Sequence, residues 1–220
     1  RHNNATSDAI TMASDGTCSA RITSAGGGQL SHRNIIINGA MNVAQRGVSY
    51  TGTDTYATVD RFYIHKGTVS ENPTQEQVDV AAGTTPYSLG FRKAYKITNG
   101  NQTVAAGSFM RFRYAIEAQD LANCGWNYTS TSSKITLSFW IKSSVAQNFY
   151  VDLQTVDGTA QNFAYETGSL TANTWTKIVK TIPGNSNLTF DNDANQGMFI
   201  NVNAYICLLY TSPSPRDRIS

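Results

Sequence analysis

The amino-acid sequence predicts an all-β protein built as an antiparallel β-sandwich. About eight or more stretches alternate apolar and polar residues with period two, the pattern of a half-buried strand. Turn-forming residues separate these stretches at intervals of about 8–12 residues, and helical periodicity is almost absent. A sandwich or jelly roll is therefore expected, because a parallel α/β sheet would need helical crossovers between its strands.

Residues 1–33 are predicted to form an extended N-terminal arm outside the sandwich. This segment is rich in Ser, Thr, Gly and Asn. Two strand-like pieces, residues 9–12 and 20–23, flank the turn signal Asp15-Gly16. Two short hairpin arms cannot bury a core by themselves. The segment is expected to be either a linker or the end of a fibre shaft that pairs with other chains.

The sandwich domain is predicted to span residues 34–206. Residues 34–38 form a short apolar run bounded by Asn and are expected to be a buried strand. A single helical turn is expected at residues 117–122, and Asp157-Gly158 is a hairpin-type turn. Further strands are predicted at residues 56–64, 87–98, 108–116, 148–156, 175–182 and 197–206.

The clearest strand is predicted at residues 135–141. One face carries Ile135, Leu137, Phe139 and Ile141. The other face carries Thr136, Ser138, Trp140 and Lys142, because side chains alternate along a strand. If residues 148–156 pair beside this strand, the outward face also receives Tyr150, Asp152 and Gln154.

Residues 207–220 are predicted to be a non-native tail. Two prolines and a charged end break the strand pattern that precedes them. Residues 207–217, CLLYTSPSPRD, resemble one reading frame of a transposase sequencing adapter, as found at the ends of proteins predicted from metagenomic assemblies. The chain is therefore expected to be a fragment, with a sandwich truncated near Ile206.

Composition argues against several classes of partner. The net charge is +2 and no basic run exceeds two residues, so no nucleic-acid partner is expected. No stretch approaches the roughly 20 apolar residues of a membrane span, so no membrane insertion is expected. Cys18, Cys124 and Cys207 form neither a disulfide framework nor a metal-binding pair.

No catalytic motif is visible. The sequence lacks GxSxG, P-loop and HExxH patterns, and its histidines are scattered. No spacing marks the carboxylate pair of a glycosidase. The chain is predicted not to be an enzyme and to need no cofactor.

Several segments carry a resemblance to known families. Residues 34–47, NIIINGAMNVAQRG, with VDRF at 59–62, resemble the start of domains in structural proteins of tailed phages, especially marine ones. LSFWIKSS at 137–144, TWTK at 174–177 and FDND at 190–193 resemble parts of carbohydrate-binding modules with a galactose-binding-like jelly roll. The resemblance implies a tail-fibre or virion-appendage protein that acts outside the cell, with glycan binding and host recognition by analogy of fold.

The outward face of the central strand is the leading candidate for a glycan site. Sugars present apolar C–H patches and many hydroxyl groups, which aromatic plates and hydrogen-bonding side chains suit. The candidate residues are Trp140, Tyr150, Asp152, Gln154 and Lys142. The alternative is that Trp140 and Tyr150 pack under a covering loop or against a neighbouring chain.

Two weaker candidates accompany it. Arg111 and Arg113 would join the same face, but the alternation in residues 108–116 is ambiguous, since Phe109 and Phe112 fall on opposite sides. Asp191 and Asp193 lie in an oxygen-rich loop of the kind that calcium prefers. Their spacing lacks the Gly and Glu of an EF-hand loop, so an ordinary turn is the favoured interpretation.

The leading hypothesis is a tail-fibre domain that binds host surface polysaccharide as part of a homotrimer and alongside other virion proteins. One alternative is a purely structural virion module that mediates oligomerisation or capping. A further alternative is a carbohydrate-binding module of a secreted polysaccharide-degrading enzyme. Fold analogy alone does not decide among them.

Overall fold

The protein folds as an antiparallel β-sandwich, which confirms the predicted fold class. The structure is a computed structural model and describes residues 10–12, 14, 18–20, 34–103 and 105–206. The strands of these ranges are β1 Ile10–Met12, β2 Cys18–Ala20, β3 Ser49–Thr51, β4 Phe62–Lys66, β5 Thr74–Asp79, β6 Lys93–Thr98, β7 Phe109–Glu117, β8 Lys134–Ile141, β9 Asn148–Thr155, β10 Asn162–Ser169, β11 Thr176–Pro183 and β12 Gln196–Ile206. The helices are α1 Thr85–Ser88 and α2 Ala118–Asn123.

One layer of the sandwich is a five-stranded sheet in the order β10-β9-β12-β7-β4. The other side of the core is supplied by the three-stranded sheet β3-β5-β6 and the ribbon β11-β8. Side chains from all three sheets meet in one hydrophobic cluster, which includes Ile64, Tyr95, Met110, Val151 and Ile178. Burying this apolar surface is the main stabilising contribution to the fold.

The period-two signal placed three strands of the five-stranded sheet and both strands of the β11-β8 ribbon well. β7, β9 and β12 lie within about a residue of their predicted bounds, and so do β8 and β11. The helical turn predicted at residues 117–122 is confirmed as α2. The turn at Asp157-Gly158 is confirmed between β9 and β10, where Gly158 has a φ of +60°. Three strands were not predicted: β3, β5 and β10.

The prediction of a buried strand at residues 34–38 is wrong. Asn38 has a φ of +58°, and the segment enters a turn that the bond from the Met41 amide to the Asn38 carbonyl closes at 2.8 Å. The Asn38 side chain also bonds both backbone groups of Val43, at 2.9 and 3.0 Å. Asn is one of the few side chains that tolerate this left-handed conformation. Ile35 and Ile36 still pack against the core, but Ile37 is exposed.

Two other predicted strands are shorter than expected. In the segment 56–64 the strand begins only at Phe62, because Arg61 has a φ of +74° and ends a turn there. In the segment 87–98 it begins only at Lys93, because α1 and a following turn occupy the preceding residues. Pro86 sits in the first turn of α1, where its missing N–H costs nothing.

The predicted N-terminal hairpin is present as the pair β1 and β2, in register from Ile10↔Ala20 to Met12↔Cys18. Its second strand begins two residues before the predicted piece. The rest of the predicted arm 1–33 and the predicted tail 207–220 lie outside the described residues. Among the described helices, none has the length and apolar character needed to cross a bilayer.

Candidate functional site

The structure separates the two halves of the predicted glycan site. β8 pairs with β11, from Ile141↔Thr176 to Lys134↔Pro183. β9 pairs with β10 on one side and with β12 on the other, so both of its edges are occupied. Residues 148–156 therefore do not pair beside β8, and the condition for Tyr150, Asp152 and Gln154 to join Trp140 on one face is not met. Because Leu137 and Val151 both point into the shared core, Trp140 and Tyr150 face opposite surfaces of the sandwich.

Trp140 and Lys142 lie together on the surface of the β8-β11 ribbon. Trp140 is half-buried and lies opposite Lys177 in the ladder. The Lys142 ammonium lies 5.2 Å from the centre of the Trp175 ring, within the range of a cation–π contact. This patch keeps an aromatic plate and a cation, but it contains none of the β9 residues that were predicted to join it.

The β9 residues lie instead on the outward side of the five-stranded sheet, which we call the outer face. Its side chains form cross-strand rows, because directly paired residues of antiparallel strands share a face. One row runs across all five strands and consists of Ala164, Asp152, Asn201, Arg113 and Tyr63. Beside it, His65, Arg111 and Asn203 follow one another across β4, β7 and β12, with Tyr150 next to Asn203.

The alternation in β7 is thereby settled. Met110, Phe112, Tyr114 and Ile116 belong to the core or pack against it. Arg111 and Arg113 alternate with them and lie on the outer face. Phe109 lies on the arginine side of the strand, since the Arg111 guanidinium carbon is 4.5 Å from its ring centre.

A buried polar network occupies the middle of the outer face. Asn201, which is fully buried, accepts a hydrogen bond from the Arg113 Nε at 2.8 Å and donates one to the Asp152 Oδ2 at 2.7 Å. Asn203 donates from its Nδ2 to the Asp152 Oδ1 at 2.8 Å. Both oxygens of Asp152 are thus engaged by amides, and its side chain is buried. Asp152 holds neighbouring groups in place rather than offering an exposed carboxylate.

Aromatic rings surround this network. The Arg113 guanidinium carbon lies 4.0 Å from the centre of the Phe199 ring. Tyr63 and Tyr56 contact each other edge to face, with their ring centres 4.8 Å apart. On β9, Tyr150 is 47% exposed. The outer face therefore combines ring surfaces with fixed polar groups, the usual composition of a small-molecule or sugar site.

Two polar atoms of this face are buried without a hydrogen-bond partner in the part of the chain that the structure describes. They are the Nε of Arg111 and the Oδ1 of Asn203, and the two residues are direct cross-strand partners. A buried unsatisfied group costs about 1–3 kcal/mol, and more when it is charged. Such groups call for a reason, and local strain or a buried water is the usual one.

The outer face continues at one end into an open cleft of about 560 Å³. Ala115 and Glu117, the next outward residues of β7, line the cleft together with Tyr56, Asp60, Arg61 and Gln196. The Arg61 Nη1 lies 3.1 Å from the Glu117 Oε1. A hydrogen bond from Gln119, together with Arg61, lowers the pKa of the Glu117 carboxyl. The left-handed backbone of Arg61 is a strained conformation for a side chain of this size.

His65 closes the opposite end of the face. Its Nδ1 lies 2.9 Å from the Asp54 Oδ1, and its ring centre is 5.3 Å from that of Phe109. Burial lowers the pKa of the His65 imidazole and outweighs the opposing effect of its hydrogen bond to Asp54, while Arg113 and Arg111 lower the pKa further. The ring is therefore mainly neutral near pH 7.

At the weak calcium candidate, the carboxylate of Asp193 is engaged in a local turn. Both carboxylate oxygens of Asp193 accept hydrogen bonds from Asn195. The Asp191 amide donates to the Asp157 carboxylate at 3.1 Å. Within the described ranges, no group of three or more His, Cys, Asp and Glu side chains is placed to hold a metal. Calcium binding at Asp191 and Asp193 stays an untested prediction.

Sequence reasoning missed most of the outer-face residues. Asn201 and Asn203 alternate with Met198, Ile200 and Val202 in a strongly apolar strand, and that alternation is a signal for outward polar groups. The residues Tyr63 and His65 alternate with buried neighbours in the same way. No local signal shows that β4, β7, β9 and β12 lie side by side, because that depends on long-range pairing.

Comparisons with known proteins give one structural likeness. No family model matches the sequence, and no curated protein matches it. Among solved structures, the chain is similar to the enzymatically active domain of bacteriophage CBA120 tailspike protein 4, with a TM-score of 0.46 and 13% identity. The match covers 80% of this chain and 20% of that chain. At this identity and TM-score, the likeness carries no argument about what this chain does.

The comparison nevertheless corrects one prediction. The chain was predicted not to be an enzyme, whereas the matched structure is described as enzymatically active. The prediction is contradicted and we do not retain it. Absent sequence motifs were a weak basis for it, because a pair of catalytic carboxylates needs proximity in space and no fixed spacing in sequence.

Proposed function

We propose that this chain is part of a phage tail-associated protein and that its outer face contacts host surface polysaccharide. The assignment to a phage tail rests on the resemblance of residues 34–47 and 59–62 to structural proteins of tailed phages. The matched solved structure is also a phage tailspike protein, although that likeness is too weak to support the assignment.

The observation that carries the polysaccharide proposal is the composition of the outer face. It places ring surfaces and buried, oriented amide and guanidinium groups on one side of one sheet. Asn203 keeps a buried, unpaired acceptor there, beside the unpaired donor of Arg111. Sugar hydroxyls accept hydrogen bonds, so a saccharide can bond the half-exposed guanidinium group of Arg111 while its C–H face lies on a ring.

The rigidity of this face favours binding. Asp152, Asn201 and Arg113 are held by hydrogen bonds of 2.7–2.8 Å across three adjacent strands. Groups that are already ordered lose little conformational entropy when a ligand arrives. The cleft beside Glu117 extends the same surface, so the protein can contact more than one sugar unit of a polymer.

A single copy of the outer face is expected to bind polysaccharide weakly, and several copies on one particle would strengthen the binding. In a homotrimeric fibre, copies of the face on one particle raise the effective concentration of each site for a repeating polymer. The location that follows from this proposal is the tail of the virion, with polysaccharide and other virion proteins as partners.

A comparison of the two surfaces tests the proposal. Tyr150→Ala removes an exposed ring from the outer face, whereas Trp140→Ala removes a ring from the opposite surface. We expect Tyr150→Ala to weaken retention on immobilised polysaccharide of marine bacteria by about fivefold to tenfold, as for loss of one ring contact. Trp140→Ala should retain binding close to that of the unaltered protein.

Thermal unfolding of both variants provides the control for folding, because either ring also packs against its neighbours. The opposite pattern, with binding lost in Trp140→Ala and kept in Tyr150→Ala, would assign the ligand to the β8-β11 ribbon and refute the proposed surface. Absence of binding by the unaltered protein to every polysaccharide tested would refute the polysaccharide proposal itself.

A further inference from the structure

Arg111 and Arg113 occupy neighbouring positions on the outer face but have very different surroundings. Arg113 is buried, its Nε is bonded to Asn201, and its guanidinium lies on Phe199. Arg111 also lies on a ring, that of Phe109. Its Nε, however, is buried without a partner among the described residues.

The carboxylates near Arg111 are committed to other groups. Asp152 is engaged by Asn201 and Asn203. Asp54 lies 2.9 Å from the His65 ring. The ion pairs between described residues do not include Arg111, although an N–O distance of 4.0 Å would suffice. Arg111 therefore forms no ion pair with a described residue, and the Asp152 carboxylate attracts its charge only from a longer distance.

This charge is also crowded by like charge. Arg113 lies two residues away on the same strand face, and burial together with Arg113 lowers the pKa of the Arg111 guanidinium. An arginine remains cationic at neutral pH even so. Arg111 is thus an unfavourable half-buried cation in the protein without ligand, because its desolvation and its repulsion by Arg113 outweigh the attraction of Asp152.

An anionic ligand group would remove this cost. The planar guanidinium presents parallel N–H donors that match two oxygens of a carboxylate or a sulfate ester. The cross-strand partner of Arg111 is Asn203, and Tyr150 lies next to Asn203. The Tyr150 side chain is 47% exposed, so its ring can carry the C–H face of the same sugar. His65, on the other side of Arg111, adds a further ring to the same position.

We propose that the outer face is selective for acidic polysaccharide and that Arg111 binds the carboxylate or sulfate group of one sugar unit. This inference rests on the proposed function and specifies its ligand class. Arg113 takes no direct part, because it is buried and bonded within the protein.

The test compares polymers that differ in charge alone. Dextran sulfate is paired with neutral dextran, and alginate is paired with carboxyl-reduced alginate. Binding of the full chain to each polymer is measured by affinity electrophoresis at low and at physiological ionic strength. We expect tighter binding to at least one acidic polymer than to its neutral partner, and the preferred polymer distinguishes a sulfate from a carboxylate site.

Three variants connect this preference to Arg111. Arg111→Gln should weaken binding to the preferred acidic polymer by about tenfold or more, since it removes a charge-assisted bidentate contact. Arg111→Lys keeps the charge without the planar fork and should recover only part of that loss. Lys177→Gln is the matched control, because it removes one positive charge from an exposed position on the opposite surface.

The folding of Arg111→Gln provides a readout that needs no ligand. Removing an unpaired, half-buried cation should leave the Tm unchanged or raise it. A clear fall in the Tm of both Arg111→Gln and Arg111→Lys would show that the arginine supports the fold, and would overturn the inference.

The binding outcomes separate this inference from the proposed function. Equal binding to charged and neutral partners would refute acidic selectivity while leaving a polysaccharide-binding outer face. An equal loss in Arg111→Gln and Lys177→Gln would indicate nonspecific charge attraction and also refute the inference. No binding to any polymer would refute both.

Discussion

Replacing Asn201 by Ala should destabilise the protein strongly, although Asn201 is a neutral residue on the solvent side of its sheet. The side chain is fully buried and bridges two charged groups. It accepts from the Arg113 Nε at 2.8 Å and donates to the Asp152 Oδ2 at 2.7 Å. Alanine removes both bonds and leaves a buried guanidinium nitrogen and a buried carboxylate oxygen without partners.

The size of the loss follows from these two contacts. Hydrogen bonds to charged groups contribute about 1.5–3 kcal/mol each, and a buried group left unsatisfied costs a similar amount. Asp152 keeps its bond from Asn203, so its loss is partial. We expect the free energy of unfolding to fall by about 3–5 kcal/mol, a large share of the roughly 5–15 kcal/mol typical of a domain.

Urea unfolding followed by tryptophan fluorescence measures this change. The matched control is Asn162→Ala, an exposed Asn on β10 of the same sheet, which should change the free energy of unfolding by less than about 0.5 kcal/mol. A double-mutant cycle with Asp152→Ala should show strong non-additivity, because the first substitution already removes one of the two bonds that Asp152 accepts. A loss below about 1 kcal/mol for Asn201→Ala would show that the network is solvated, and would refute this reasoning.

Two further predictions concern other polar groups. Gln75 is fully buried and accepts from the Tyr95 hydroxyl at 2.6 Å, so Gln75→Ala should lower the free energy of unfolding by about 2–4 kcal/mol in the same urea assay, and a loss within error would contradict this. The lowered pKa of His65 means that the unfolded chain binds the proton more readily, so stability should fall as pH drops from about 6.5 towards the folded-state pKa. His65→Gln should abolish this part of the pH dependence, although it also breaks the contact with Asp54 at every pH. A stability difference between the two proteins that stays constant from about pH 7.5 to pH 5 would contradict the assignment.

The success of sequence reasoning depended on how each strand distributes its burial. β8, β9 and β12 alternate apolar and polar side chains, so their bounds and their two faces were predictable. β5, with the sequence TQEQVD, carries Val78 as its single aliphatic residue, and the residue it buries fully is Gln75. Gln75 can be buried because it forms hydrogen bonds with residues far away in the sequence, Tyr95 and Gly52, and no local sequence pattern shows such partners.

Strand neighbours were a different kind of problem. β8 and β9 follow one another along the chain, and consecutive antiparallel strands often pair. Here the connection between Ile141 and Asn148 instead crosses from one layer of the sandwich to the other. Periodicity shows which side of each strand faces the core but contains no information about which strand lies beside it. For the predicted site, the outward side of each strand was therefore correct, but the two strands do not lie beside each other.

The difference between Arg111 and Arg113 bears on whether the outer face evolved for stability alone. A surface selected only for stability would gain little from the half-buried guanidinium of Arg111 near the buried and bonded one of Arg113, since removing it would relieve both desolvation and like-charge repulsion. Arg113 is held by Asn201 and has a structural explanation. Arg111 has no such bond at its Nε within the described residues, and its cross-strand partner Asn203 also carries an unpaired acceptor. Rigid, unsatisfied groups of this kind favour a ligand, because their unfavourable state without it increases the gain on binding. The two substitutions should consequently separate stability from binding. Asn201→Ala should lower the free energy of unfolding, whereas Arg111→Gln should weaken binding of the acidic polymer and leave the fold intact.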